Sequence, residues 1–85
     1  GHAGVFTTAS DLGVFAEAFL DGKLAELVGR DWIQSASDPQ VEWKDGGYFR
    51  TLGWACRVAG SKSLVYHDGF TGVSLFMDSD SGNYV

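Results

Sequence analysis

The side chains best suited to chemistry in this chain lie in the segment HDGFTG, residues 67–72. The segment holds one of the two histidines, followed directly by an acid, and it lies between two strand-like runs. An imidazole beside a carboxylate can ligate a metal, move a proton or line a cleft. Glycines between strands are also typical of a kink or turn. From the residues alone the structural interpretation is the stronger one, because a single histidine is weak evidence of a site.

The other candidate chemistries lack partners at the required spacing. His2 and His67 are far apart in the sequence, and zinc sites need three or four ligands. Asp78 begins an acidic stretch, but Gly82 stands at position five of an EF-hand loop, so a hairpin turn is favoured. The patterns S-x-x-K and G-x-S-x-G are absent, and Cys56 lies in an aromatic strand typical of a buried thiol. We therefore predict no metal, no cofactor and no nucleophile–base pair in the chain.

The composition excludes several classes of partner. The 85 residues carry a net charge of −5, and the six basic residues are scattered along the sequence. Nucleic-acid binding normally needs a clustered basic face, so we expect no nucleic-acid partner. No apolar run approaches the ~18 residues of a membrane span. A lone cysteine excludes an internal disulfide.

Two helices are predicted in the first half of the chain. Thr8 and Asp11 resemble a capping box, and the apolar spacing that follows predicts a helix over 9–21. Asp31 is expected to cap a shorter helix over 32–37. Three apolar residues between the helices are expected to pack as a turn: Leu24, Leu27 and Val28.

The second half predicts an antiparallel meander. A turn at 45–47 precedes a strand near 49–58, and a second turn lies at 60–62. The runs SLVYH and GVSLFMD predict two further strands, and SDSGN predicts a tight turn into a final short strand. Helices followed by a meander favour an α+β fold with the helices against one sheet face.

Three segments resemble the serine β-lactamase-like hydrolases, the group of class C β-lactamases, esterases and penicillin-binding proteins that includes D-Ala-D-Ala carboxypeptidases. GHAGVFTTASDLGVFAEAFLDG is similar to that group's glycine-rich loop, STA-x-DLARF segment and helix. LGW at 52–54 is similar to its GLGW strand, and YHDGFTGVSLFMDSDSGNYV to its third active-site motif and the strands that follow. The resemblance implies an antiparallel sheet with helices on both faces. Residues 1–85 would be a single partial domain, the C-terminal portion of the sheet domain of a longer parent chain.

The chemistry implied by the resemblance is acyl transfer through an acyl-enzyme on an amide, ester or β-lactam bond. The nucleophilic Ser, its Lys and a Tyr would lie outside this segment, so the chain alone is expected to be inactive. His67 takes the position of the motif's Lys or His, Asp68 that of its Thr or Ser, and Gly69 that of its Gly. Substrate binding falls to these three residues. Catalytic roles fall to His67 and to the backbone N–H of Phe70, which would donate to an oxyanion.

Asp68 departs from the group's pattern, since a carboxylate beside the imidazole makes a poor site for an anionic substrate. We therefore expect the parent to act on a small-molecule or peptide-like substrate that lacks the carboxylate of penicillins. The resemblance suggests a bacterial periplasmic, cell-envelope or secreted location. A non-catalytic scaffold or binding module with the same fold is the alternative, and an independent small α+β domain unrelated to hydrolases is a third possibility.

Overall fold

Within residues 5–85, three helices are followed by six strands. The computed structural model describes residues 5–85, so His2 lies outside the described part. The helices are α1 (Ala9–Leu20), α2 (Lys23–Val28) and α3 (Arg30–Ser37); the strands are β1 (Val41–Lys44), β2 (Tyr48–Arg50), β3 (Ala55–Ala59), β4 (Lys62–Asp68), β5 (Ser74–Asp78) and β6 (Asn83–Tyr84). The strands form one antiparallel sheet in the order β1-β2-β3-β4-β5-β6. The predicted α+β class and the meander are confirmed.

Helix α1 starts and ends close to where the sequence predicts. The Thr8 hydroxyl accepts a hydrogen bond from the Asp11 backbone N–H at 3.1 Å, which satisfies one donor of the first turn. Ala16 and Phe19 lie one turn apart and are buried against the sheet. Gly22 follows with φ +89°, a backbone conformation that only glycine adopts at little cost.

The region between the predicted helices is itself helical, so the expected turn at Leu24, Leu27 and Val28 is wrong. These residues lie in α2, whose last bond is donated by the Gly29 N–H to the Ala25 carbonyl at 2.9 Å. Gly29 has φ +95° and also precedes α3, whose N-cap has no side-chain hydrogen bond. Asp31 lies inside the first turn of α3 instead of capping it, because the glycine already reverses the chain.

The strand predicted near 49–58 is two strands, β2 and β3, separated by a turn. The Thr51 hydroxyl accepts from the Trp54 N–H at 3.0 Å, and the Thr51 N–H donates to the Trp54 carbonyl at 3.0 Å. Gly53 between them has φ +113°. These bonds close the turn locally, and they take the backbone out of the ladder at the residues that the aromatic pattern assigned to one strand.

The core is one row of side chains that crosses the sheet. Strand register places these residues opposite one another on successive strands: Phe49, Cys56, Val65, Met77 and Tyr84. Cys56 and Met77 are fully buried, and Ala16 and Phe19 of α1 pack on the row. Leu24 of α2 and Ile33 of α3 also contact this core. The helices therefore cover one face of the sheet, as predicted.

The opposite face, called the open face here, carries no helix among residues 5–85. Successive side chains of a strand point to opposite faces, so the register puts Ala55, Tyr66 and Phe76 there in one row. The rings of Tyr66 and Phe76 stack with centroids 5.2 Å apart. The helices on both faces that the resemblance implies are thus found on one face only within the described residues.

The β1–β2 turn requires a glycine for two reasons. Gly47 has φ +86°, and a Cβ built on it would overlap the Val58 carbonyl, which belongs to β3. That close approach is used, because the Val58 N–H donates to the Gly47 carbonyl at 2.8 Å.

None of the described helices has the length and apolar character needed to cross a membrane.

Candidate functional site

A cleft of about 500 Å³ opens beside the hairpin that joins β4 to β5. Its walls come from three parts of the chain: the segment before and within α1, the turn before β3, and the hairpin itself. The lining residues are Val5, Thr7, Leu12, Gly53, Trp54, His67, Asp68, Gly69, Phe70, Thr71, Val73, Ser74 and Leu75. The structure therefore brings every predicted site residue, from His67 to Phe70, into one cleft.

His67 is the second-last residue of β4, next to the turn, and it lies opposite Leu75 of β5. It is exposed, and its ring meets the ring of Trp54 edge-on at a centroid distance of 6.4 Å. Edge-on contacts between aromatic rings are favourable. The contact therefore helps to hold the imidazole beside Trp54 at the cleft wall.

Trp54 connects this cleft to the hydrophobic core. Its ring lies 6.0 Å from that of Phe19 and 6.2 Å from that of Phe15, both in α1. The turn that carries Trp54 is also tied to α3, because the Leu52 N–H donates to the Ser35 carbonyl at 3.2 Å. The position of the Trp54 ring, which contacts His67, is therefore fixed by its packing against the helices.

The ionisable side chains of the described cleft lining are His67 and Asp68. Asp68 is exposed and pairs with Ser74 across the hairpin. No Lys or Arg is found among the described residues that line the cleft. A negative charge acts over about 8–10 Å at moderate ionic strength, so Asp68 disfavours an anionic ligand here and no lining cation offsets it.

The two glycines of the segment are explained by the turn. The Gly69 N–H donates to the Val73 carbonyl, and the Gly72 N–H donates to the Gly69 carbonyl at 3.0 Å. A Cβ on Gly69 would lie 3.0 Å from the Val73 carbonyl oxygen, and Gly72 has φ +93°. The turn therefore accounts for both glycines without a ligand, and the substrate-accommodating role of Gly69 stays a prediction.

Phe70 is placed at the rim of the cleft. Its side chain is 93% exposed, and Val5 and Val73 beside the cleft are 78% and 60% exposed. An exposed group of large apolar side chains around a cavity is typical of a binding surface for an apolar group. The role of the Phe70 backbone N–H as an oxyanion donor stays a prediction.

Sequence reasoning missed Trp54 and the α1 side of the cleft as site components. Trp54 belongs to the LGW segment, but a single aromatic residue after a glycine carries no local signal that it contacts a histidine 13 positions later in the chain. Val5, Thr7 and Leu12 precede or begin a helix, and only tertiary packing brings them to the hairpin. A local pattern has no access to such contacts.

The remaining candidate groups are structural. Cys56 is buried and its Sγ lies 3.1 Å from the Ser63 Oγ, as expected of a packed thiol. Asp78 accepts hydrogen bonds from the Ser81 hydroxyl at 2.7 Å and the Asp80 N–H at 3.0 Å, which lowers the pKa of Asp78 below its ordinary value of 3.8. The predicted hairpin turn is confirmed, and residues 5–85 hold no group of three His, Cys, Asp or Glu side chains suited to a metal.

The chain was compared with models of protein families, with curated proteins and with solved structures, and none of them matched.

Proposed function

We propose that this chain forms one wall of the substrate cleft of a serine hydrolase that resembles the class C β-lactamase, esterase and penicillin-binding-protein group. The sequence lacks S-x-x-K, so the nucleophile, its Lys and its Tyr would come from outside these 85 residues. The residues in the cleft wall are His67, as the hydrogen-bonding group of the third motif, followed by Asp68, Gly69 and Phe70. The domain is then the C-terminal portion of a β-lactamase-like sheet domain.

One observation carries the proposal: the end of β4 and the turn after it lie in the cleft lining together with Trp54 and the start of α1. The three segments that resemble the group are 1–22, 52–54 and 66–85, and described residues of each contribute to this lining. Separate segments that resemble one family and meet at one cleft support a shared function more than any segment does alone. A fold likeness would not suffice, since one fold hosts many activities.

The charges of the cleft bear on the substrate. The described lining holds one carboxylate, one imidazole and no Lys or Arg, and its rim is apolar. We propose that the parent acts on an ester or amide with an apolar acyl group and without a carboxylate near the reacting bond. Backbone N–H groups would stabilise the oxyanion, with Phe70 as one donor.

The experiment is a ligand titration of the 85-residue chain followed by two-dimensional NMR. N-acetylphenylalanine amide and N-acetylphenylalanine differ by one carboxylate. We expect the amide to bind about two- to fivefold more tightly, the size of an exposed charge–charge effect. The signals that shift should be those of Trp54, His67 and Gly69.

Two variants control the charge argument. Asp68→Asn should abolish the difference between the amide and the acid, whereas Asp45→Asn, in the exposed β1–β2 turn, should leave it unchanged. Tighter binding of the acid, or shifts that avoid the cleft, would overturn the proposal. Exposure to p-nitrophenyl acetate should leave every serine of the chain unmodified, and acetylation of a serine would contradict a nucleophile outside the chain.

A non-catalytic binding module is the second candidate function. It is favoured by the fact that, within residues 5–85, no hydrogen bond joins His67 to a hydroxyl of the cleft lining, although Thr7, Thr71 and Ser74 are all part of that lining. The coding sequence on either side of this segment distinguishes the two functions. An enzyme of this group requires S-x-x-K and Y-x-N there, whereas a binding module does not.

A further inference from the structure

Folding collects basic residues that are scattered in the sequence. The chain has six Lys and Arg residues, and the strand register places four of them on the open face of the sheet. These are Lys44, Arg50, Arg57 and Lys62. The helical layer lies on the other side of the sheet. The register also places Asp68 and Asp78 on the open face, on β4 and β5, so the excess positive charge of this face lies toward β1–β3, on a chain of net charge −5.

Aromatic rings hold three of these cations in place. The Arg57 guanidinium carbon lies 4.4 Å from the Tyr48 ring centroid, and the Lys44 Nζ lies 5.1 Å from it. The Arg50 guanidinium carbon lies 5.2 Å from the Trp43 ring centroid. The rings of Trp43 and Tyr48 meet edge-on at 6.1 Å. These five residues, Trp43, Lys44, Tyr48, Arg50 and Arg57, are called the basic aromatic cluster.

The cluster is charged but has no anionic partner in the described chain. Among residues 5–85 the ion pair found joins Lys23 to Asp21, at 3.7 Å and on the helical side. Arg57 uses two of its five donors, on the Gly46 carbonyl and the Tyr48 hydroxyl, both at 3.2 Å. Although the chain has 11 carboxylates, none forms an ion pair with the cluster, which leaves guanidinium donors for an external anion.

The cluster also presents exposed apolar surface beside its charges. Trp43 is 49% exposed, and Val41 beside it is 63% exposed. Trp, Tyr and Arg are the side chains that contribute most to binding energy at protein interfaces. Arg pairs with carboxylates through two parallel hydrogen bonds, and a stacked guanidinium keeps its orientation.

We propose that the basic aromatic cluster is a docking surface for an acidic polypeptide segment of another protein. Its carboxylates would pair with Arg50, Arg57 and Lys44, and its apolar side chains would pack on Trp43 and Val41. Complementary charge favours this partner. A nucleic acid is also anionic, but it lacks the aliphatic side chains that would pack on Trp43 and Val41, so it is the comparison probe in the test below.

The test uses the whole 85-residue chain and a synthetic peptide of alternating Glu and Leu. The controls are the same peptide with Gln for Glu, and oligothymidylate as the nucleic-acid probe. Affinity is measured by titration calorimetry, and the surface is mapped by two-dimensional NMR. We expect that the acidic peptide binds and that neither control does. The NMR signals that shift should belong to β1–β3, and binding should weaken at higher ionic strength.

Matched variants locate the charge. Arg50→Gln and Lys44→Gln should each lower the affinity for the acidic peptide by about two- to fivefold. Arg30→Gln and Lys23→Gln, on the helical side, should leave that affinity unchanged. Arg50 and Lys44 are exposed, and the circular dichroism spectrum of each variant shows whether it is folded. The proposal is overturned by absent peptide binding, by equal loss in the helical-side variants, or by tighter binding of oligothymidylate.

Discussion

Replacing Phe19 by alanine should destabilise the chain more than any change at the surface. Phe19 is 6% exposed and contacts Phe15 and Trp54 at centroid distances of 6.3 and 6.0 Å. A Phe→Ala change at a buried site costs about 3–5 kcal/mol, because the lost transfer free energy is joined by a cavity. A chain of 85 residues has a total free energy of unfolding of about 4–13 kcal/mol. The variant should therefore lose a large fraction of its stability.

The assay is equilibrium unfolding in urea, followed by tryptophan fluorescence and by circular dichroism. Phe6→Ala is the matched control: it removes the same side chain at a position that is 87% exposed, where a change of less than about 0.5 kcal/mol is expected. The signal of the Trp54 indole should also move in the Phe19 variant, because helix packing fixes that ring. The reasoning is refuted if the two variants lose similar amounts, since α1 would then not be anchored through Phe19.

Three further predictions concern backbone and surface. Gly47→Ala should cost several kcal/mol and Gly46→Ala about 1–2 kcal/mol in urea unfolding, because both have positive φ but only Gly47 meets a carbonyl; equal losses would contradict the close approach. Thr8→Ala should cost about 1 kcal/mol through the lost N-cap, and Thr8→Ser should restore it; an unchanged urea midpoint in the Ala variant would contradict the cap. Donation of the Tyr84 hydroxyl to Glu17 at 3.0 Å raises the pKa of Tyr84 above its ordinary 10.0, so the bond stabilises the fold below pH 10 and its contribution is lost as pH rises through the folded pKa. Ultraviolet titration should show one late-titrating tyrosine that Glu17→Gln shifts back toward 10.0, and a Tyr84 unaffected by that change would exclude the bond.

The elements predicted well from the sequence are those whose signal is local. The N-cap at Thr8, the apolar spacing of α1 and the turn residues at 45–47 and 79–83 act on their own neighbours. Their positions in the structure follow the prediction within a residue or two. The order of helices followed by a meander likewise predicted that the helices would lie against one face of the sheet.

The elements predicted wrongly are of two kinds. The turn expected at Leu24, Leu27 and Val28 is helix α2, and the strand expected near 49–58 is divided by local Thr51–Trp54 hydrogen bonds that the aromatic pattern does not indicate. The basic residues looked scattered along the sequence, yet antiparallel pairing puts Arg50 beside Ala55 and Arg57 beside Tyr48. Such clustering is set by register, which a one-dimensional pattern does not contain.

The candidate site shows the same division. The sequence identified 67–70 as the segment whose residues could take part in catalysis or binding, and the structure places this segment in a cleft. The sequence did not identify Trp54, whose contact with His67 at 6.4 Å depends on the packing of α1. The roles of His67 and its neighbours in acyl transfer stay predictions.

The most direct test of the proposed hydrolase is to sequence the gene on both sides of the segment that encodes these 85 residues. We predict an upstream reading frame, continuous with this one, that contains S-x-x-K followed by Y-x-N. The serine of that motif should then be acylated by a neutral p-nitrophenyl ester in the full-length protein. A stop codon before any S-x-x-K, or a frame without both motifs, would contradict the account and leave the cleft as a binding site without catalysis.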